Sequence, residues 1–284
     1  MTVAETLRDS NLAQRTLTAL VGATIALGAV WIGGWTFAAL IALVAGLAQA
    51  EAYTLLGKAG SRPLVVPGLA VGALASLAPL LPHAWALLTL GVLALLALVL
   101  FTRQDTPLMD LAGTMLGIVY PAALAGTVVA LRTSDAAWLS GPGAPPQAAF
   151  WLTTAALVCI WGADTFAYFA GRQFGRHKLF ERVSPKKTWE GSAGGALGAL
   201  ALAAGFKLFA LPDLLTWADV AAIGVACGIA GQLGDLAESL FKRSVDVKDS
   251  ATWLPGHGGM LDRLDAAVVA LPLVAVWFEI TRGL

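Results

Sequence analysis

The chain has 284 residues, 58% hydrophobic and only 13% charged, with a formal net charge of +0 and a mean hydropathy of +0.76. A soluble domain carries roughly 25% charged residues. This composition therefore excludes an ordinary water-soluble globule and predicts an all-α, polytopic integral membrane protein.

In chain order, residues 1–15 are polar and read as a short interfacial helix. Nine apolar segments follow, at 16–32, 35–56, 64–81, 84–101, 108–131, 149–170, 191–211, 217–240 and 262–281. Ala48-Gln49-Ala50 resembles a signal-cleavage triplet. Two long apolar runs come before its end, more than the single signal core of about 7–15 residues, so both are read as retained helices. Pro67 and Pro79 make the third segment the least regular, although membrane helices tolerate proline. Cys159 and Cys227 lie in apolar runs without a CxxC pair and read as small core residues. The chain divides into an N-terminal region, 1–148, with about five spans, and a C-terminal catalytic region, 149–284, with about four.

The positive-inside rule orients these spans. With the N-terminus in the cytoplasm, 15 of the 18 Lys and Arg residues fall in inside segments. Arg132 and Arg282 fall outside, and Lys207 falls within the seventh span. A multi-pass protein of the cell membrane is expected, with its chemistry on the cytoplasmic side. Two cytoplasmic loops stand out, 171–190 and 241–261. The outside loop 132–148 contains Gly141-Pro142-Gly143-Ala144-Pro145-Pro146 and reads as an irregular connector. No internal repeat of the kind expected of many transporters is visible.

The stretch Leu233 to Asp265 is the anomaly. It holds six acids (Asp235, Glu238, Asp246, Asp249, Asp262, Asp265) and four bases (Lys242, Arg243, Lys248, Arg263) between two apolar segments. Charges at such places are expensive and mark function by default. Asp235 and Glu238 share a helix face at i, i+3, and Asp262 and Asp265 repeat the spacing. Gathered carboxylates repel unless a cation joins them. That cation is either Mg²⁺, which takes carboxylates and substrate phosphates, or the neighbouring Lys and Arg side chains. Gly258 and Gly259 permit close backbone approach, and amides just before a helix can face an anion. His257 is either a phosphate donor or proton carrier, or an ordinary loop hydrogen-bonder. Lys186 and Lys187, beside Ser184 and Thr188, suit a polyphosphate or simply follow the inside-positive pattern. Asp164 lies within the sixth span and needs a partner. Gly191, Gly194, Gly195 and Gly198 are spaced for close helix packing. Glu51 and Asp110 are further acids in or near spans, to which the sequence assigns no role.

Three blocks then carry a resemblance: Ser239-x-Phe241-Lys242-Arg243, Lys248-Asp249, and Leu254-Pro255-x-His257-Gly258-Gly259-Met260-x-Asp262-Arg263-Leu264-Asp265. Together they resemble the signature of the phosphatidate cytidylyltransferases, also called CDP-diacylglycerol synthases. Trp161 to Lys178 and Ser184 to Gly191 are similar to that family as well. The likeness lies from about Trp151 onward, while the N-terminal half matches only as generic membrane helices.

The resemblance implies a Mg²⁺-dependent nucleotidyl transfer from CTP to phosphatidate, giving CDP-diacylglycerol and pyrophosphate for phospholipid synthesis. It implies Asp235 and Asp262 as the metal-binding acids, and the charged residues around them, Lys242 and Asp265, complete the expected catalytic group. Metal would be held by Asp235 and Asp262, joined by Asp164. Substrates would be bound by Lys186, Lys187, Arg243, Lys248, His257, Gly258, Gly259 and Arg263. A homodimer among membrane lipids is expected, and no nucleic-acid partner. A CTP-dependent lipid kinase, a cytidylyltransferase for another lipid phosphate, and an ion-coupled transporter using Asp164 and Asp235 are the alternatives.

Overall fold

The computed structural model describes residues 3–102, 105–253 and 258–284, with side chains from residue 16 onward, residue 17 excepted. Each predicted apolar segment falls on a helix: α1 Val3–Ile32, α2 Gly34–Lys58, α3 Val65–Leu80, α4 Ala84–Phe101, α5 Pro107–Thr133, α6 Ala148–Phe174, α7 Trp189–Phe209, α8 Trp217–Ser244 and α9 Leu261–Arg282. Among the described residues, seven helices, α2 and α4 to α9, are long and apolar enough to cross a membrane; the first and third segments are the shorter apolar helices Thr18–Ile32 and Val65–Leu80. The polar start is no separate interfacial helix, because its backbone runs unbroken into α1.

The prolines sit where helices tolerate them. Pro67 lies in the first turn of α3, where backbone N–H groups have no intrahelical partner anyway. Pro79 lies in its terminal 3₁₀ turn. Pro121 falls in a π-helical turn, Ile118–Ala123, inside α5. A second π turn, Ala226–Ala230, lies within α8 just before its charged end.

The core joins α1, α2, α5, α6, α7, α8 and α9 through Val30, Phe37, Leu131, Leu152, Ala199, Ile223 and Phe278. Both cysteines are free and buried within it. Helix α4 lies outermost, with Leu95 its one buried residue. Close approach rather than apolar transfer holds membrane helices together, and the α7 glycines supply it. A methyl group on Gly191 or Gly195 would press on the α6 carbonyls of Ala167 and Ala163, and on Gly194 or Gly198 it would overlap Ala170 or Phe166. Gly194→Leu is expected to cost about 1–3 kcal/mol by overpacking, read as a lower unfolding temperature in detergent.

The two ends of the bundle differ in chemistry. At one end Arg132 Nε donates to Val30 O at 2.5 Å and Lys207 to Leu215 O at 2.6 Å. There Arg282 pairs with buried Asp219, which also accepts from Trp277 at 2.8 Å. The three cations outside the predicted inside segments thus share this end. The opposite end carries the C-termini of α2, α6 and α8 and the N-termini of α7 and α9, and it holds the site. The loop 171–190 is not irregular there: Lys178–Phe180 (β1) and Ser184–Thr188 (β2) pair as an antiparallel hairpin, with Lys178 opposite Thr188 and Phe180 opposite Ser184.

Candidate active site

The hairpin aims two lysines. Thr188 ends β2 and caps α7, its hydroxyl accepting from Gly191 N at 3.1 Å. Glu190, in the first turn of α7, accepts from Arg176 N at 3.1 Å and meets His177 Nδ1 at 2.6 Å. With both strand ends tied to α7, Lys186 and Lys187 face a cavity of about 350 Å³ between α6, α7 and α8. Asp164, Arg172, Thr188 and Gln232 line it too. Lys187 Nζ reaches across to Asp235 at 2.5 Å, both side chains about a quarter exposed (26% and 28%).

A second unit lies deeper. Lys242 Nζ sits 2.8 Å from Glu238 and 2.5 Å from Asp262. Glu238 is fully buried, and Lys242 and Asp262 nearly so. The sequence left open whether the acids meet a metal or the neighbouring bases. Here one lysine joins one acid from each i, i+3 pair, and Lys187 takes a third. Asp235, Glu238 and Asp265 all act electrostatically on Tyr120, and Asp164 feels Asp235, Lys187 and Arg263. The four acids therefore share one neighbourhood.

The signature loop is held by carboxylates. Asp262 Oδ2 accepts from Gly259 N at 2.8 Å and Ser250 N at 3.0 Å, and Ser250 Oγ lies 2.9 Å away. Gly258 has φ +77, which favours glycine, and a Cβ there would lie 2.7 Å from Asp262 Oδ2. At Gly259 a Cβ would overlap both Ser250 Oγ and Glu51 Oε2. The sequence suggested amides free to face a substrate phosphate at Gly258 and Gly259; instead Gly259, Met260 and Leu261 N–H donate to the carboxylates of Asp262 and Glu51. Glu51 accepts from Met260 N at 2.8 Å and Leu261 N at 2.9 Å.

The remaining sequence candidates are spread around this centre. Arg243 is exposed and donates to Val247 O at 3.1 Å. Lys248 and Arg263 are exposed as well. Asp265 accepts from Ala266 N at 2.7 Å. His257 lies outside the described residues. Glu51, Ser250, Arg172 and Gln232 are additional members. Of these, Glu51 alone carried a signal in the sequence, as an acid inside an apolar run.

Two observations bear on a divalent cation. Among the described residues Glu238 Oε1 and Tyr120 Oη are buried without a hydrogen-bond partner. Among the described residues Asp262 Oδ1 accepts only from Lys242, which leaves it one of its two lone pairs. These are hard oxygens with spare capacity, as Mg²⁺ requires. Among the described residues no three His, Cys, Asp or Glu side chains make a complete cage. That fits an ion that takes one or two carboxylates and completes its shell with water and substrate phosphate.

Residues 13–281 match the model of the cytidylyltransferase family. The chain belongs to that family. Among relatives, it is 35% identical over 283 residues to the phosphatidate cytidylyltransferase of Synechocystis sp., covering 92% of this chain and 94% of the relative. It is 33% identical over 285 residues to that of Brucella abortus, covering 93% and 92%. The phosphatidate cytidylyltransferase of Bacillus subtilis is 48% identical over 120 residues, 42% of this chain and 44% of the relative. Likeness to the cytidylyltransferase family thus extends well into the N-terminal half, which the sequence reading had treated as generic membrane helix. Glu51 lies within that matched range.

Proposed function

We propose that the chain transfers CMP from CTP to phosphatidate, forming CDP-diacylglycerol and releasing pyrophosphate. One observation carries the reading: a cationic cavity bounded by Lys186, Lys187 and Arg172 opens beside a carboxylate cluster at one end of a membrane bundle. Two polyanionic substrates need such cations, and a carboxylate cluster suits the ion that accompanies a nucleotide triphosphate.

In this reading a phosphate oxygen of phosphatidate attacks the α-phosphorus of CTP. The new P–O bond forms as the bond to the β-phosphate breaks, and pyrophosphate leaves with that electron pair. A phosphomonoester is already largely dianionic at neutral pH, so the nucleophile needs no general base. The work lies in positioning and charge neutralisation. Lys186, Lys187 and Arg172 hold phosphate oxygens in the cavity. Lys242 has donated two of its three N–H groups to Glu238 and Asp262 and keeps one for a phosphate oxygen. Arg243, Lys248 and Arg263 draw the anions in from the exposed rim. Asp235 and Asp262 would hold Mg²⁺ together with substrate phosphate, and when bound the ion would neutralise charge on the CTP phosphates. Tyr168 lines the cavity and packs edge-on against Phe169, each 60% exposed. The acyl chains lie against that aromatic edge in the membrane while the headgroup enters. The site faces the cytoplasm of a cell-membrane protein, where CTP is dissolved, and a homodimer belongs to the same proposal.

The test uses purified protein in lipid nanodiscs with CTP, phosphatidate and Mg²⁺. Equal amounts of CDP-diacylglycerol and pyrophosphate are expected. Lys187→Met is expected to lower kcat/KM about 10- to 100-fold, the worth of one charge-assisted hydrogen bond of about 1.5–3 kcal/mol. Absence of product from folded protein would contradict the proposal.

A further inference from the structure

We infer that Glu51, from the N-terminal half, is a positioning residue that sets the signature loop and Asp262 for the transfer reaction. The inference rests on the function proposed above.

Glu51 is a carboxylate only 7% exposed, set in α2 among buried Ala48, Ala52 and Leu55. A charge in such a place persists only when it is fully hydrogen-bonded. Four donors meet that need. Trp253 Nε1 at 2.6 Å and Met260 N at 2.8 Å reach Oε1. Ser250 Oγ at 2.6 Å and Leu261 N at 2.9 Å reach Oε2. Two donors per oxygen use every lone pair of a carboxylate. Glu51 therefore has no capacity left for substrate or metal, and its role is to hold other groups in place.

Those groups lead directly to Asp262. Ser250 contacts both carboxylates, its hydroxyl 2.6 Å from Glu51 and 2.9 Å from Asp262, while its N–H donates to Asp262. A hydroxyl carries one proton, and the shorter contact orients it on Glu51. Gly259 passes between the same two acids, with no room for a side chain. Met260 N and Leu261 N belong to the start of α9, where orphan amides normally find a cap in the preceding residues. Here an acid some 200 residues earlier supplies it, and negative charge at a helix N-terminus is favourable. The chain of contacts is Glu51, Ser250 and Gly259, Asp262 Oδ2. It leaves Asp262 Oδ1 turned to Lys242.

Glu51→Gln tests this, because one face of the amide must present N–H groups to two existing donors. The experiment measures CTP:phosphatidate transfer in nanodiscs and amide hydrogen exchange over residues 250–264. Asp219→Asn, at the far end of the bundle, controls for simple destabilisation. Glu51→Gln is expected to lower kcat about 100-fold, the cost of about 1 Å of misplacement. Its KM for CTP stays within about threefold, since Glu51 does not touch the cavity residues. Exchange at Met260 and Leu261 rises. Asp219→Asn changes neither kcat per folded molecule nor exchange in the loop. If Glu51→Gln does not fold, Ser250→Ala carries the test, with a smaller fall in kcat and faster loop exchange. Wild-type kcat in whichever variant is read, or loop exchange unchanged in it, overturns the inference. No transfer by the wild-type protein would instead count against the proposed function, and the exchange measurement would still report on the Glu51 clamp.

Discussion

Lys242→Met is expected to destabilise the protein by about 3–5 kcal/mol, because removing one partner of a buried ion pair strands the other. Here it strands two. Glu238 and Asp262 would face each other across the vacated ammonium position, both almost without solvent. The double variant Lys242→Met, Glu238→Gln removes one of the stranded charges. It is expected to be more stable than Lys242→Met alone, with a coupling between the sites of roughly 0.5–3 kcal/mol. Activity is expected to stay low in both, because neither restores the third Lys242 N–H to the substrate. Unfolding in mixed detergent micelles, measured for wild type, both single variants and the double, closes the cycle. Strictly additive losses would mean that Lys242 and Glu238 act independently, against the geometry.

Asp235→Asn separates function from fold in the opposite sense. Its pair with Lys187 is about a quarter exposed on each side, and partly solvated pairs contribute only about 0–1 kcal/mol. Ser239, 3.3 Å from Oδ1, can still donate to the amide oxygen. Unfolding is therefore expected to change little. Activity is expected to fall on the order of 10²- to 10³-fold, because several kcal/mol of charge stabilisation at the reacting phosphates depends on this acid. The Mg²⁺ concentration for half-maximal rate is expected to rise with it. Full Mg²⁺-dependent activity in folded Asp235→Asn would remove Asp235 from the metal site.

The helices were legible as apolar runs broken by polar or proline-rich residues, and among the described residues seven of the nine have the length and apolar character of a span. Their packing was partly legible: the glycine spacing in α7 predicted a close neighbour, and α6 is that neighbour. The hairpin Lys178–Thr188 was not. Its strands have three and five residues, too few to show an alternation, and its ends are tied down by the Thr188 cap of α7 and by Glu190. Within the site, charges crowded into Leu233–Asp265 stood out against the apolar background. Which acid meets which base did not, since i, i+3 spacing places Asp235 and Glu238 on one face but cannot say that Lys187 takes one and Lys242 the other. Glu51 shows the limit most clearly. An acid in an apolar run announces that it has partners, yet its partners lie about 200 residues away, and only the folded chain names them.

The central claim is that CMP, not a phosphoryl group, passes from CTP to the lipid. CTP labelled at the α-phosphorus and CTP labelled at the γ-phosphorus test it in parallel, each incubated with purified protein, phosphatidate and Mg²⁺. The account predicts α-label in the lipid fraction and γ-label in pyrophosphate. Lipid carrying γ-label would identify a CTP-dependent kinase, and folded protein that leaves both labels in CTP would contradict the account altogether.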